Sequence, residues 1–196
     1  MLLWRKPGQD FIRSFVSAQK NEPFSYAEVG NSRWESPHGY TCDHNRVRIG
    51  TGRDAYESAK AAVKEWKMFD MPWIRLCWPD TPIQPGATVA LLVSHLGFWS
   101  LNACRIVYVI EEEYGSPQKY GFAYGTLPDH AAYGEECFTV EYDAKDGAVW
   151  YDLVAFSRPR PLARAAYPLT RALQKRFARD SKVAMQNHLA RAHGSR

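Results

Sequence analysis

From Trp73 to Phe156 the sequence repeats one pattern, a short apolar run followed by a turn signal. Six runs can be read: Trp73–Trp78, Thr88–Val93, Ala103–Glu112, Tyr120–Thr126, Glu135–Tyr142 and Ala148–Phe156. Gly86, Gly97, Gly115-Ser116-Pro117, Pro128-Asp129 and Asp146-Gly147 fall between them. Connections this short join antiparallel neighbours, because parallel pairs need long crossovers. The most regular piece is the hairpin from Gly121 to Tyr142. Tyr120, Phe122, Tyr124 and Thr126 alternate with Gly121, Ala123 and Gly125, so one face is aromatic and the other nearly bare. Pro128 and Asp129 stop the first strand. In the second, Phe138, Val140 and Tyr142 alternate with Glu135, Cys137, Thr139 and Glu141. The two apolar faces align as Phe122 and Tyr124 with Phe138 and Val140.

Helical spacing flanks this block. Phe11, Ile12, Phe15 and Val16 form a stripe within Asp10–Gln19, and Pro23 ends it. Val47 and Ile49 alternate with Arg46 and Arg48, which predicts a strand within Gly39–Gly50. Thr51-x-x-Asp54 has the form of a capping box. The helix behind it carries Ala55, Ala59, Val63, Trp66 and Phe69, and Pro72 closes it. After Arg158-Pro159-Arg160-Pro161, a last stripe runs through Leu162, Ala166, Leu169, Leu173 and Phe177. Pro168 should kink or restart this helix, since its ring clashes with the carbonyl of Arg164. The order is strand, helix, antiparallel strands, long C-terminal helix. It predicts an α+β helix-grip fold of the START-like kind, a curved antiparallel sheet wrapped around the last helix. The chain is read as one domain over 1–196, with a helical extension at 1–23 and a basic C-terminal helix at 158–196.

Charge is unevenly spread. Residues 158–196 hold ten Lys/Arg and one acid, Asp180, for a net +9, and the rest carries 15 Lys/Arg against 20 Asp/Glu, for −5. Cys42, Cys77, Cys104 and Cys137 contain no C-x-x-C spacing. With no signal peptide pattern they read as reduced thiols of a cytoplasmic protein. The uncharged run Thr81–Cys104 is broken by Pro82, Pro85, Gly86 and Gly97, which fits strand and turn and argues against a transmembrane segment.

Several segments together resemble one family. They are FSYAEVG (24–30), RVRIGTGRDAYESA (46–59), EWKMFDMPW (65–73), CRIVYVIEE (104–112), FAYGTLPDHAAYGEECF (122–138) and VWYDLVAFSRP (149–159). They are similar to the bacterial and plant family known as domain of unknown function nineteen-ninety, which is grouped with START-like, helix-grip proteins. The resemblance covers roughly residues 24–185, and its most specific piece is Tyr124 to Glu136. The N-terminal helix and the tail after about residue 185 depart from it. It implies the fold and a cavity, and no established reaction or cofactor.

Four motifs can carry chemistry. Gly50-x-Gly52-x-x-Ala55 follows a strand and opens a helix, as a dinucleotide fingerprint does. The chain lacks the alternating strands and helices of a parallel sheet, so a tight turn is the better reading. His38, Cys42 and His44 would share one side of an extended strand, but a structural zinc site needs four ligands at tighter spacing. No metal or cofactor is therefore expected. His130 lies near Glu135 and Glu136, and a His beside a carboxylate can act as a general base. Neither G-x-S-x-G nor H-E-x-x-H accompanies it. The basic C-terminal helix can meet a polyanion or a membrane surface, although a solvated stripe is the better reading, and no specific nucleic acid is expected.

The pattern favours a binding protein over an enzyme. The expected ligand is a small apolar molecule between sheet and C-terminal helix. The expected ligand-binding residues are Tyr108, Phe122, Tyr124, Thr126, His130 and Phe138, an apolar lining with a few hydroxyls, although the same aromatics would equally well simply fill the core. Enzymatic use of the same cavity, with His130 or a tyrosine as acid/base, is the alternative. Arg105 is expected to point outward. Finally, both faces of the strands containing Val89–Val93 and Ile106–Ile110 are apolar, so something must cover the outer one. The N-terminal helix, through Phe11, Phe15 and Val16, is the expected cover, with a homodimer contact as the alternative.

Overall fold

The computed structural model describes residues 1–33, 37–95, 97–160 and 167–194. Eight strands make one antiparallel sheet: β1 (Leu2–Leu3), β2 (Thr41–Thr51), β3 (Ile74–Cys77), β4 (Thr88–Ser94), β5 (Trp99–Glu112), β6 (Gln118–Thr126), β7 (Ala132–Tyr142) and β8 (Ala148–Pro159). Their order is β2-β8-β7-β6-β5-β4-β3, with β1 beside β5. The sheet curls around helices α2 (Arg53–Lys64) and α3 (Tyr167–Gly194), while α1 (Gln9–Gln19) lies on the convex side. The expected helix-grip fold is the observed one.

The concave core joins Ala55, Ala59 and Val63 of α2 to Val89, Ile106, Phe122, Phe138, Tyr151 and Leu153 of the sheet, and to Phe177, Met185 and Leu189 of α3. Gly50 lets α2 lie close on β2, since a Cβ there would stand 2.8 Å from the Ala55 Cβ. The expected capping box does not form. Thr51 belongs to β2, where its hydroxyl accepts from Arg48, and the helix is capped by Gly52 at φ +89°, with no side-chain cap bond. Trp66 ends α2 in a left-handed conformation at φ 58°, a cost of roughly 1 kcal/mol for an L-residue. Its indole offsets this by donating to the Thr81 carbonyl at 3.1 Å and by packing edge-on against Phe122.

Pro168 sits in the first turn of α3 and starts the helix without kinking it, because a first-turn proline lacks only an N–H that has no partner there. Leu162 and Ala166, expected on its apolar stripe, lie outside the described residues. Leu169 is exposed, and the buried stripe is carried by Phe177, Ser181, Met185 and Leu189, four residues apart.

The convex face is covered in three ways. Ile12, Phe15 and Val16 of α1 pack on Ala90, Leu92, Leu101 and Ala103, so the same chain covers the apolar outer face of β4 and β5. Phe11 faces solvent, and Ile12 takes the inward position expected of it. Arg105 points outward, as expected, and donates to the last carbonyls of α1, Gln19 and Lys20, at 2.9 and 2.7 Å. Over the middle strands lies the segment from Phe24 to Arg33. Toward β2 an ionic ladder follows, with Arg46 bridging Glu141 and Asp152 at 2.6 and 2.8 Å and Lys119 reaching Glu141 at 2.8 Å.

Candidate functional site

Strand register places Ile106, Tyr124, Glu136, Ala155 and Asp43 in one row across the concave face, on β5, β6, β7, β8 and β2. Tyr124 and Glu136 are a cross-strand pair, and the tyrosine hydroxyl donates to the Glu136 carboxylate at 2.7 Å. Ala155, a small residue, stands between Glu136 and Asp43 in this row. The first half of α3 lies over this end of the sheet. Arg171 clasps Asp43 with both guanidinium nitrogens, at 2.5 and 2.7 Å, Gln174 donates to Ser157 Oγ at 2.9 Å, and the Tyr167 and Thr41 hydroxyls bond at 2.6 Å. One step inward the lining turns aromatic. Phe138 stands 5.3 Å from Tyr124, 5.6 Å from Phe69 and 6.3 Å from Phe177, centroid to centroid.

Burial dominates the electrostatics. It pushes the Glu136 carboxyl up to about 7, the nearby negative charge of Asp43 adds to the rise, and the Tyr124 hydrogen bond opposes it. Glu136 as a whole residue is half-buried. Burial also raises the Tyr124 hydroxyl, the Cys104 thiol and the Tyr151 hydroxyl, each with a contribution from the Glu136 charge. Among the described residues of this site, the group able to change charge near neutrality is thus a carboxyl.

Of the residues expected at the site, the structure brings Phe122, Tyr124 and Phe138 together on the concave face. It does not bring Tyr108 to them. The β5–β6 register slips between Ile106 and Tyr108, and a bulge of one residue sends every later side chain to the other face. The Tyr108 hydroxyl therefore bonds Ser32 Oγ on the convex side, at 2.7 Å. The Thr126 hydroxyl is engaged by Ser25 Oγ at 2.6 Å and by the Gly134 N–H at 3.0 Å. His130 stays in the β6–β7 loop, where Nδ1 accepts the Ala132 N–H at 3.1 Å. Burial brings it down to about 4, helped by the positive charges of Arg160 and the N-terminal amine, so its ring is neutral.

Glu136 is the residue that sequence reasoning passed over, though the alternation held the signal. Two steps back along the face of Phe138 and Val140 lies Glu136, whereas Glu135 shares the other face with Cys137 and Thr139.

The remaining motifs resolve into structure. Gly50 and Gly52 serve close packing and a turn, in a sheet whose strand pairs are all antiparallel. His44 bonds Asp152 at 2.7 Å, Cys42 is exposed, and among the described residues no three potential ligands converge. On the basic helix, Arg171 is held by Asp43, while Arg176 and Arg179 flank Asp180 at 3.5 and 2.9 Å. No helix among the described residues is long and apolar enough to cross a membrane.

A curled antiparallel sheet gripping a C-terminal helix, with a polar pair at one end of an aromatic interior, defines a helix-grip protein. Solved structures share this architecture. The protein Ara h 8.0201 matches with a TM-score of 0.50 at 14% identity, over 78% of this chain and 99% of its own. The di-domain ARO/CYC StfQ from the steffimycin biosynthetic pathway matches at 0.52 and 13% identity, over 79% of this chain and 52% of its own. At these identities the likeness concerns the fold alone. Sequence comparison goes further. The family model described as Domain of unknown function (DUF1990) matches residues 25–184, and the chain belongs to that family. A UPF0548 protein of Deinococcus radiodurans is 41% identical over 192 residues, 91% of this chain and 94% of the relative. One from Dictyostelium discoideum is 35% identical over 214 residues, 100% of this chain and 97% of its own.

Proposed function

We propose that the chain is a cytoplasmic helix-grip protein that holds a small, largely apolar molecule between the sheet and α3, with Tyr124 and Glu136 as its polar contact. The observation that carries this reading is the position of Glu136. Its row is otherwise filled by Ile106, Ala155 and an ion-paired Asp43, and among the described residues its one hydrogen-bond partner is the Tyr124 hydroxyl. Phe122 and Phe138 supply the apolar part, with Phe69 and Phe177 packed against Phe138. Tyr108, Thr126 and His130 act at a remove, by fixing the convex cover and the hairpin loop. Native mass spectrometry of the freshly purified protein tests this. The expected result is one molecule retained per chain and lost in Glu136→Ala. A chain that carries nothing, and binds no apolar fluorescent probe saturably, would overturn it.

A second reading, acid/base turnover in the same place, is supported by the titration of Glu136 near neutrality, which suits a general acid or base. It assigns the role to Glu136 in place of His130. Chemical change of the retained molecule on incubation, absent in Glu136→Gln, would favour it.

A further inference from the structure

We infer that β1, the turn behind it and one flank of α1 form a docking surface for an anionic lipid bilayer. The inference stands apart from the proposed function, since it concerns the convex side of the sheet. Leu2 is 72% exposed and Trp4 is 88% exposed, in one short run with the exposed bases Arg5 and Lys6. Single exposed apolar residues need no explanation, but a cluster of them marks an interaction site. The fold adds Phe11 to this cluster. α1 runs along β5: Lys6, just before the helix, lies over the Trp99 ring, and the carbonyls of Gln19 and Lys20 at its end meet Arg105. Ile12 points inward, and successive helical residues turn by about 100°, so Phe11 and Arg13 lie on opposite flanks. Arg13 reaches over Trp78, beyond the end of β3. Phe11 therefore looks the other way, across β5 toward β1, which pairs with β5 through Leu2–Ser100 and Leu3–Trp99.

Charge selects the occupant. Residues 1–20 hold four bases, Arg5, Lys6, Arg13 and Lys20, against one acid, Asp10, whereas residues 21–157 hold 11 Lys/Arg against 19 Asp/Glu. All four bases are exposed. Lys6 and Arg13 stand 5.5 and 5.6 Å over the Trp99 and Trp78 rings, which keeps their cationic heads beside aromatic surface. Exposed Trp, Leu and Phe among Lys and Arg suit the boundary of an anionic bilayer. The apolar groups enter the headgroup layer, and the bases meet the anionic headgroups. A second copy docked face to face would set like charge against like charge. A nucleic acid would engage the bases and leave Leu2 without an apolar counterpart.

Co-sedimentation of the full chain with vesicles tests the inference, comparing phosphatidylcholine alone with an equal mixture of phosphatidylcholine and phosphatidylserine. At low ionic strength the mixed vesicles should bind the parent about tenfold or more tightly than the neutral ones, and added salt should shrink the difference. Trp4→Ala and Phe11→Asp, both at exposed positions, should each weaken that binding by about tenfold, and so should Lys6→Glu. Tyr114→Ala removes an exposed ring just beyond the far end of β5 and should bind like the parent. Melting curves that match the parent's show that each variant is folded. Equal binding to the two kinds of vesicle, or binding unchanged in both Trp4→Ala and Phe11→Asp, overturns the inference. Loss of binding in Arg179→Glu with full binding in Lys6→Glu moves the surface to α3 and overturns it too. A mass that grows with concentration in the parent but not in Trp4→Ala makes a second copy the occupant, with the same consequence.

Discussion

Glu135 and Glu136 are consecutive in the chain and lie on opposite faces of β7. The Glu135 carboxylate is buried on the convex side and accepts from the Tyr26 hydroxyl at 2.6 Å, the Gly30 and Ser32 N–H groups at 2.7 and 3.1 Å, and the Ser32 hydroxyl. It pins the segment from Phe24 to Arg33 onto the sheet. Glu136 faces the interior with one tyrosine. One carboxylate is fully used by the fold, and the other has the Tyr124 hydroxyl as its one hydrogen-bond partner among the described residues.

The two should respond differently to mutation. Glu135→Ala strands four donors in a buried place and should cost about 3–5 kcal/mol, as breaking a buried charged network does. Glu136→Gln keeps the Tyr124 contact and removes an unfavourable charge, so at pH 8 it should match or exceed the parent. Urea unfolding of both variants checks this. A Glu136→Gln protein less stable than Glu135→Ala would refute the division of roles.

pH dependence gives a sharper readout, because two groups shifted by desolvation pull in opposite directions. Glu136 holds its proton more tightly in the folded chain, about 7 against 4.5 unfolded. Its contribution to stability is complete below pH 4.5 and is lost as pH rises through 7. His130 runs the other way, about 4 folded against 6.5 unfolded. Its contribution is complete above pH 6.5 and is lost as pH falls through 4. Each shift corresponds to a few kcal/mol at most, on the order of 1.4 kcal/mol per pH unit. In the parent the two slopes oppose each other between pH 4.5 and 6.5, giving a flat profile. Stability of Glu136→Gln should rise with pH across that window, and that of His130→Asn should fall. Urea midpoints at four pH values measure this, and parallel profiles in all three proteins would count against it.

Periodicity made the architecture legible. Alternation in the strands and the three-and-four spacing of the helices were enough to order the elements and to assign α1 to the outer face of β4 and β5. They also identified Phe122, Tyr124 and Phe138 as one surface. What escaped were events that leave no periodic trace. The bulge before Tyr108 inverts a face without changing composition. Tyr26 lies in a short stretch with no repeating pattern, so its reach to Glu135 depends on tertiary placement. Thr51 competes between ending a strand and capping a helix, and the strand prevails because Gly52 can adopt the positive φ the turn needs.

The bare face of β6 has a specific tenant. A Cβ on Gly125 would stand 2.0 Å from the Tyr26 hydroxyl and 2.8 Å from its ring carbon. Gly125→Ala should therefore lift the 24–33 segment and weaken the Glu135 network, a loss of about 3 kcal/mol. The same change in a Tyr26→Ala background should cost far less, because the clash and the bond are both gone already. A double-mutant cycle by denaturant unfolding reads the coupling directly. Additive losses would show that Tyr26 does not set the requirement for glycine.

On the opposite half of the convex face, Phe15 and Phe11 form an internal control within α1. Phe15 is 7% exposed against β4 and β5, and Phe11 is 45% exposed. Phe15→Asp would bury a charge without a partner and should destabilise the chain by about 3 kcal/mol, whereas Phe11→Asp should stay within about 0.5 kcal/mol of the parent. Thermal melting separates the two. If Phe15→Asp melts like the parent and remains as soluble, α1 is not what holds this face. Light scattering at several concentrations would then look for a second copy as the cover.

The Asp43–Arg171 clasp should decide how freely the grip opens. The second half of α3 is anchored by Met185 and Leu189, both essentially inaccessible, so it has no need of an ion pair. Over the first half, Leu169 is exposed and Leu173 only partly buried, and polar contacts to Thr41, Asp43 and Ser157 do the holding. Of these the bidentate Arg171–Asp43 pair is the strongest kind of contact, worth about 1–2 kcal/mol where partly desolvated. Asp43→Asn should raise amide hydrogen exchange about tenfold within residues 167–177 and leave residues 181–191 unchanged, since local opening follows the local contacts. It should also lower Glu136 toward its ordinary range by removing the neighbouring negative charge. Uniform acceleration along the whole of α3 would show instead that the helix opens as one unit, with no separately releasable first half.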